Sequence, residues 1–190
     1  MKAPSRFHNH IVAAIAPLVF SLFAAGAGFA QDAAKLDDLY TRLKDADEGA
    51  AARIETEILI ESGKSGSATV DLLVRRGNEA LAAGNTAAAI EHLTAAVDHA
   101  PDFTEARSAR AIAYYNDGEI GPAMADLATV LQDEPRDFVA WSVLGTILEE
   151  SDMPEKALAA YRAAAEIHPH YAEVNEGIKR LGKQLEGQSL

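Results

Sequence analysis

The sequence predicts an all-α fold, an α-solenoid of stacked antiparallel helix pairs with an N-terminal helical hairpin before it and a capping helix after it. Three observations carry this. Pro101, Pro135 and Pro169 are each 34 residues apart, and the same interval separates Ala89, Ala123 and Ala157, and again Leu93, Leu127 and Tyr161. A fixed period of that length marks units that bury their apolar faces only by stacking on one another. Turn chemistry recurs at equivalent places within the units, at Gly84-Asn85, Asp117-Gly118 and Ser151-Asp152, where each must reverse between two helices.

Taken in order, residues 1–30 read as a secretory signal peptide. Lys2 and Arg6 precede an apolar run from Ile11 to Phe29, no acidic residue occurs, and the small residues Gly28 and Ala30 fit cleavage before Gln31. The alternative is a retained anchor, because Ile11 to Ala30 could nearly span a bilayer. The "HNH" at 8–10 lies in this segment and is not a nuclease motif. Without it, 15 Lys and Arg face 29 Asp and Glu, a net charge of −14, which repels nucleic acid and anionic lipid. The chain has no cysteine, so packing and not disulfides must stabilise it, and it has no residue to carry a lipoprotein anchor. The expectation is a soluble periplasmic protein with no membrane insertion after cleavage.

Residues 31–67 are expected to be a helical hairpin and linker. Leu36, Leu39, Tyr40 and Leu43 recur at helical spacing, and after "DADEG" a second stretch brings Ile54, Ile58 and Leu59 to one face. The hairpin lacks the small-residue and proline columns. It either packs as a degenerate repeat or covers the groove. "SGKSGSAT" reads as a flexible linker. Three repeats follow over 68–102, 103–136 and 137–170. Pro122 and Pro154 fall just past two of the internal turns, in a first helical turn where proline is tolerated. The periodic prolines follow the second helices. Residues 171–190 form the cap and tail: Tyr171, Val174, Ile178, Leu181 and Leu185 make an apolar stripe beside Glu173, Lys179, Arg180 and Lys183.

Gly77 stands in the middle of a helical stretch, where glycine costs about 1 kcal/mol relative to alanine. Gly145 lies two periods on, with Ala111 midway. The column therefore accepts only very small side chains, as expected where two helices cross closely.

These residues resemble the tetratricopeptide repeat (TPR) family, with its pattern W-x2-L-G-x2-Y, then A-x3-F, then P. The third unit matches best, with Trp141, Leu144, Gly145 and Leu148, then Ala157 and Tyr161, then Pro169. The first has Leu73, Gly77, Ala80, Ala89, Leu93 and Pro101. The second departs at its start, where Arg107, Arg110 and Ala111 lead to Tyr114, and recovers at Ala123, Leu127 and Pro135. The resemblance covers about residues 70 to 171 and implies a TPR-type solenoid that binds peptides or helices on a concave face lined by the first helix of each unit. By spacing, that face would carry Asp71, Val74, Asn78 and Leu81, then Glu105, Ser108, Ile112 and Tyr115, then Val139, Ser142, Thr146 and Glu149. The other reading packs several of these between repeats or against the hairpin.

No catalytic chemistry stands out. "GKSGS" at 63–67 lacks the glycine that a phosphate loop needs at position 58, where Ile58 stands. His168 and His170 flank Pro169 without an evident third metal ligand, and His92 and His99 read as ordinary histidines. Neither enzyme activity, a cofactor nor a metal is expected. Asn78 fits the family's carboxylate-binding arrangement, but Val74, Val139, Ser142 and Val143 stand where basic residues would be wanted. The expected partner is an apolar or basic segment of another envelope protein, held by a scaffold or adaptor with a role in envelope assembly. The alternative is a self-associating subunit of a larger envelope complex.

Overall fold

The computed structural model describes residues 22–188, with side chains over 33–187. The expected signal peptide, residues 1–30, lies outside the described residues except for the backbone from residue 22. Among the described residues there are nine helices and no strand: α1 Leu22–Asp45, α2 Glu48–Ser62, α3 Ala68–Ala82, α4 Thr86–His99, α5 Thr104–Asn116, α6 Ile120–Asp133, α7 Phe138–Glu150, α8 Pro154–Ile167 and α9 Ala172–Gln188. None of the described helices is long and apolar enough to cross a membrane. The chain divides into two compact units, Met1–Lys35 and Leu36–Leu190; the helix pairs and the candidate site belong to the second.

The helix pairs are α3·α4, α5·α6 and α7·α8, followed by α9, and the first helices lie side by side, α3 on α5 and α5 on α7. Their reversals use left-handed backbone at matching positions: Gly84 (φ +71°), Gly118 (φ +82°) and Asp152 (φ +57°). Another 34-residue device ties each unit to the preceding turn. Arg107 donates to the Pro101 carbonyl at 2.8 Å, Trp141 to that of Pro135 at 2.9 Å and Asn175 to that of Pro169 at 2.8 Å. Three unrelated side chains thus satisfy the carbonyl that a prolyl turn leaves free.

The small-residue column has the cause its spacing implies. A Cβ on Gly77 would lie 2.5 Å from Leu93 Cγ, and one on Gly145 would lie 2.5 Å from two ring carbons of Tyr161. Gly177 of α9 approaches the other side of the same ring, so Tyr161 is held between two glycines. In the middle unit Ala111 and Leu127 are both buried. That unit departs from its neighbours by a charged pair: Arg110 makes two hydrogen bonds to Asp126, at 2.7 and 2.8 Å, with both side chains largely buried.

The linker is more ordered than its composition suggests. Ala68 and Thr69 already belong to α3, Asp71 accepts a hydrogen bond from the Ser65 amide at 3.0 Å, and Lys64 pairs with the buried Glu61 at 2.8 Å.

The N-terminal hairpin buries Leu39, Leu43, Ile54 and Ile58 in a core that also contains Phe138, Tyr161, Val174 and Leu181. Leu59 departs from the expected apolar face and is 43% exposed. Polar contacts fix where the hairpin rests. Arg136, in the turn before α7, pairs with Asp37 at 2.6 Å and stacks over the Tyr40 ring. His168, in the turn before α9, bonds Glu55 at 3.1 Å, and His170 bonds the Ala46 carbonyl at 2.9 Å. The hairpin therefore lies across the entry ends of the first helices and covers part of their face.

Candidate functional site

The face of the first helices holds two cavities. One, of about 220 Å³, lies between the hairpin and the repeats. Its hairpin wall is Tyr40, Ile58, Leu59 and Ser62; its repeat wall includes Asn78, Glu105, Ser108, Ile112, Asp137 and Val139. The other, of about 390 Å³, opens between α7 and α9 and is lined by Thr146, Glu149, Glu150, Tyr161, Glu173, Glu176 and Arg180.

The twelve residues placed on the face by spacing are therefore divided. Asn78, Glu105, Ser108, Ile112 and Val139 line the first cavity and Thr146 and Glu149 the second. Tyr115 donates to Glu150 at 2.9 Å, at the edge of the second. The other four have different roles. Val74 is buried in the core of the first two units, with half-buried Leu81 packed against it. Ser142 is buried, 4% exposed, and Asp71 holds the turn before α3. Val74 and Ser142 are thus not open binding positions: the face is corrugated, and at those points the neighbouring helix or the segment before α9 closes over it.

The first cavity is electrostatically uncompensated. Asp137 caps α7 by accepting from the Ala140 amide at 2.8 Å and takes a second bond from Ser108 at 3.2 Å. Burial nevertheless pushes its carboxyl up. Glu105, in the first turn of α5, sits where the helix dipole favours a carboxylate. Yet it makes no hydrogen bond or ion pair among the described residues, and burial, with Asp137 beside it, pushes its carboxyl up to about 7. Burial and the nearby Glu134 and Asp137 also raise the Tyr40 hydroxyl. Arg136, whose guanidinium lies over the Tyr40 ring, is engaged by Asp37 and Glu134.

In the second cavity the charges are partly matched. Arg180 grips Glu149 with two bonds of 2.7 Å, which holds that carboxyl below its usual range. Burial, and then Glu150, push the Tyr115 hydroxyl up to about 12. Among the described residues no group of three or more His, Cys, Asp or Glu is placed to hold a metal ion. His168 and His170 instead bind the hairpin. Sequence spacing did not reveal Tyr40, Ile58, Ser62, Glu173, Glu176 or Arg180 as lining residues, because the hairpin and cap lie outside the 34-residue register.

A tetratricopeptide repeat family model matches residues 80–147. A TPR repeat-containing protein of Rhizobium etli is 32% identical over 154 residues, 80% of this chain and 76% of that protein. The chain belongs to the tetratricopeptide repeat family. Among solved structures, the Sgt2 TPR domain from Aspergillus fumigatus superposes with a TM-score of 0.61 and 26% identity, covering 65% of this chain and 83% of that one. The first TPR of Spaghetti (RPAP3), bound to the HSP90 peptide SRMEEVD, gives 0.59 and 21%, over 62% and 94%. TPR modules are in general non-catalytic scaffolds for protein–protein interaction.

Proposed function

We propose that this chain is a non-catalytic scaffold or adaptor of the bacterial cell envelope, exported and then cleaved before Gln31, which holds a segment of another protein against its first helices. The observation that carries the reading is the composition of that face. Half-buried Ile112, Tyr115 and Val139 stand beside carboxylates, an apolar centre with a polar surround that suits a protein segment. Export rests on Lys2, Arg6 and the apolar run that follows, and the envelope role rests on export. The charge favours a basic or apolar partner. The peptide held by the Spaghetti TPR carries an acidic tail, which Glu105, Asp137, Glu149 and Glu150 would repel.

The test places a photo-reactive residue at Tyr115, in cells that express the protein at native level. The expected outcome is a covalent adduct with one identified foreign envelope protein, absent when the photo-reactive residue replaces exposed Arg162 on α8. The protein recovered should begin at Gln31 by mass spectrometry. Adducts with this chain alone would overturn the adaptor and favour the self-associating subunit. The exposed Leu59 and Ile60, 43% and 61% accessible on the hairpin, favour that second reading.

A further inference from the structure

The first cavity combines features that structural packing leaves unexplained. Glu105 faces a space of about 220 Å³ without a hydrogen-bonding or ionic partner among the described residues. Asp137 adds a second carboxylate, and Glu134 a third, to the same walls. Among the described residues no Lys or Arg lines the cavity, and Arg136, over the Tyr40 ring, is committed to Asp37 and Glu134. The other walls are uncharged: Ile58, Leu59 and Ser62 from α2, Asn78 from α3, and Ala109 and Ile112 from α5. A buried carboxylate without a cation is unfavourable. Leu59, also on the wall, is 43% exposed.

We propose that this cavity receives a single arginine or lysine side chain from the partner segment, with Glu105 as its direct counter-charge, Asp137 in support, and Leu59 packing against the partner's adjacent apolar residue. The hairpin is then one wall of the binding site rather than a plug that must leave it. The inference rests on the protein-binding reading above and adds the partner's chemistry. It also makes binding proton-linked. Free Glu105 titrates near 7, next to Asp137, Glu134 and Tyr40, and an incoming cation favours its ionised form. Acidification therefore opposes binding.

The test uses the purified protein and three synthetic probes: acetyl-Leu-Arg-Leu-amide, the same tripeptide with citrulline for arginine, and the same with glutamate. Calorimetry gives the affinities, and carbon-13 NMR of labelled glutamate follows the Glu105 carboxyl. The arginine probe should bind about tenfold more tightly at pH 8 than at pH 6, since the ionised fraction of a group titrating near 7 rises about tenfold across that range. It should also lower the Glu105 titration midpoint. Citrulline, glutamate or Glu105→Gln should each weaken binding at least about tenfold. Equal binding of the citrulline probe, equal binding to Glu105→Gln, an unmoved Glu105 midpoint or no binding of the arginine probe would each overturn the inference. A foreign adduct at Tyr115 would still stand in those cases. Conversely, arginine binding without that adduct keeps the cation site and removes the adaptor.

Discussion

A methyl group at position 145 would meet two ring carbons of Tyr161 at 2.5 Å, and the ring is confined because Gly177 backs its opposite edge and its hydroxyl is tied to Thr146 and Glu149. Gly145→Ala should therefore destabilise by about 1–3 kcal/mol in denaturant melts, the usual range for overpacking, although alanine is the better helix former by about 1 kcal/mol. A neutral or stabilising result would remove the packing account of both Gly145 and Gly77. Glu105 predicts a pH effect with a definite sign. Its folded carboxyl is raised to about 7, so the folded state holds the proton more tightly than the unfolded chain, whose glutamates titrate near ~4.3. This contribution is fully present below about 4.3 and is lost as the pH rises to about 7. Glu105→Gln removes it. The variant should match the parent at pH 4 and exceed it at pH 8 by on the order of 1–3 kcal/mol, as measured by urea titration at the two pH values.

At the scale of elements, each helix pair reverses through one left-handed residue, and two of the three are glycine while the third is Asp152. A side chain in that region costs about 1–2 kcal/mol that glycine does not incur. Asp152 is exposed, and among the described residues no hydrogen bond to its side chain offsets the cost. Asp152→Gly should stabilise the protein by about 0.5–1 kcal/mol, the gain being reduced by glycine's larger unfolded-state entropy. A differential scanning comparison checks it, and a lower midpoint would show that Asp152 has a compensating role. The middle pair uses a different device. Its Arg110 stands one period from Leu144 and bonds the enclosed Asp126 instead of packing an aliphatic side chain. This is why the second unit matches the family pattern least at its start while folding like its neighbours.

For the whole molecule, the hairpin shares one apolar core with α7, α8 and α9, whereas α3 and α4 pack in a core that contains no hairpin residue. The repeats are joined by continuous apolar cores. The hairpin adds polar fastenings, of which the Arg136–Asp37 pair and the Arg136–Tyr40 stack are the most exposed. An exposed pair is worth about 0–1 kcal/mol and an exposed cation–π contact about 0.5–1 kcal/mol. Arg136→Met should lower the opening free energy of α2 by about 1 kcal/mol, read as faster amide hydrogen exchange at residues such as Ile54 and Ile58, while α4 keeps its protection. Equal loss in both helices would mean that the hairpin and repeats unfold as one unit.

The sequence by itself determined what repeats. The helix pairs, their turns and the close crossing at Gly77 and Gly145 are contacts between residues near in the chain or one unit apart, so one spacing, counted three times, reports them. Tertiary structure alone decided where the hairpin lies. Its fastenings join Asp37 to Arg136, Glu55 to His168 and Ala46 to His170, across 99, 113 and 124 residues, and none has a counterpart one period away. That placement supplies Tyr40, Ile58, Leu59 and Ser62 as walls of the first cavity, opposite the half-buried Glu105. In the sequence Glu105 is one acidic residue among 29. Its ionisation depends on how much water and which charges surround it, and only the folded chain sets those.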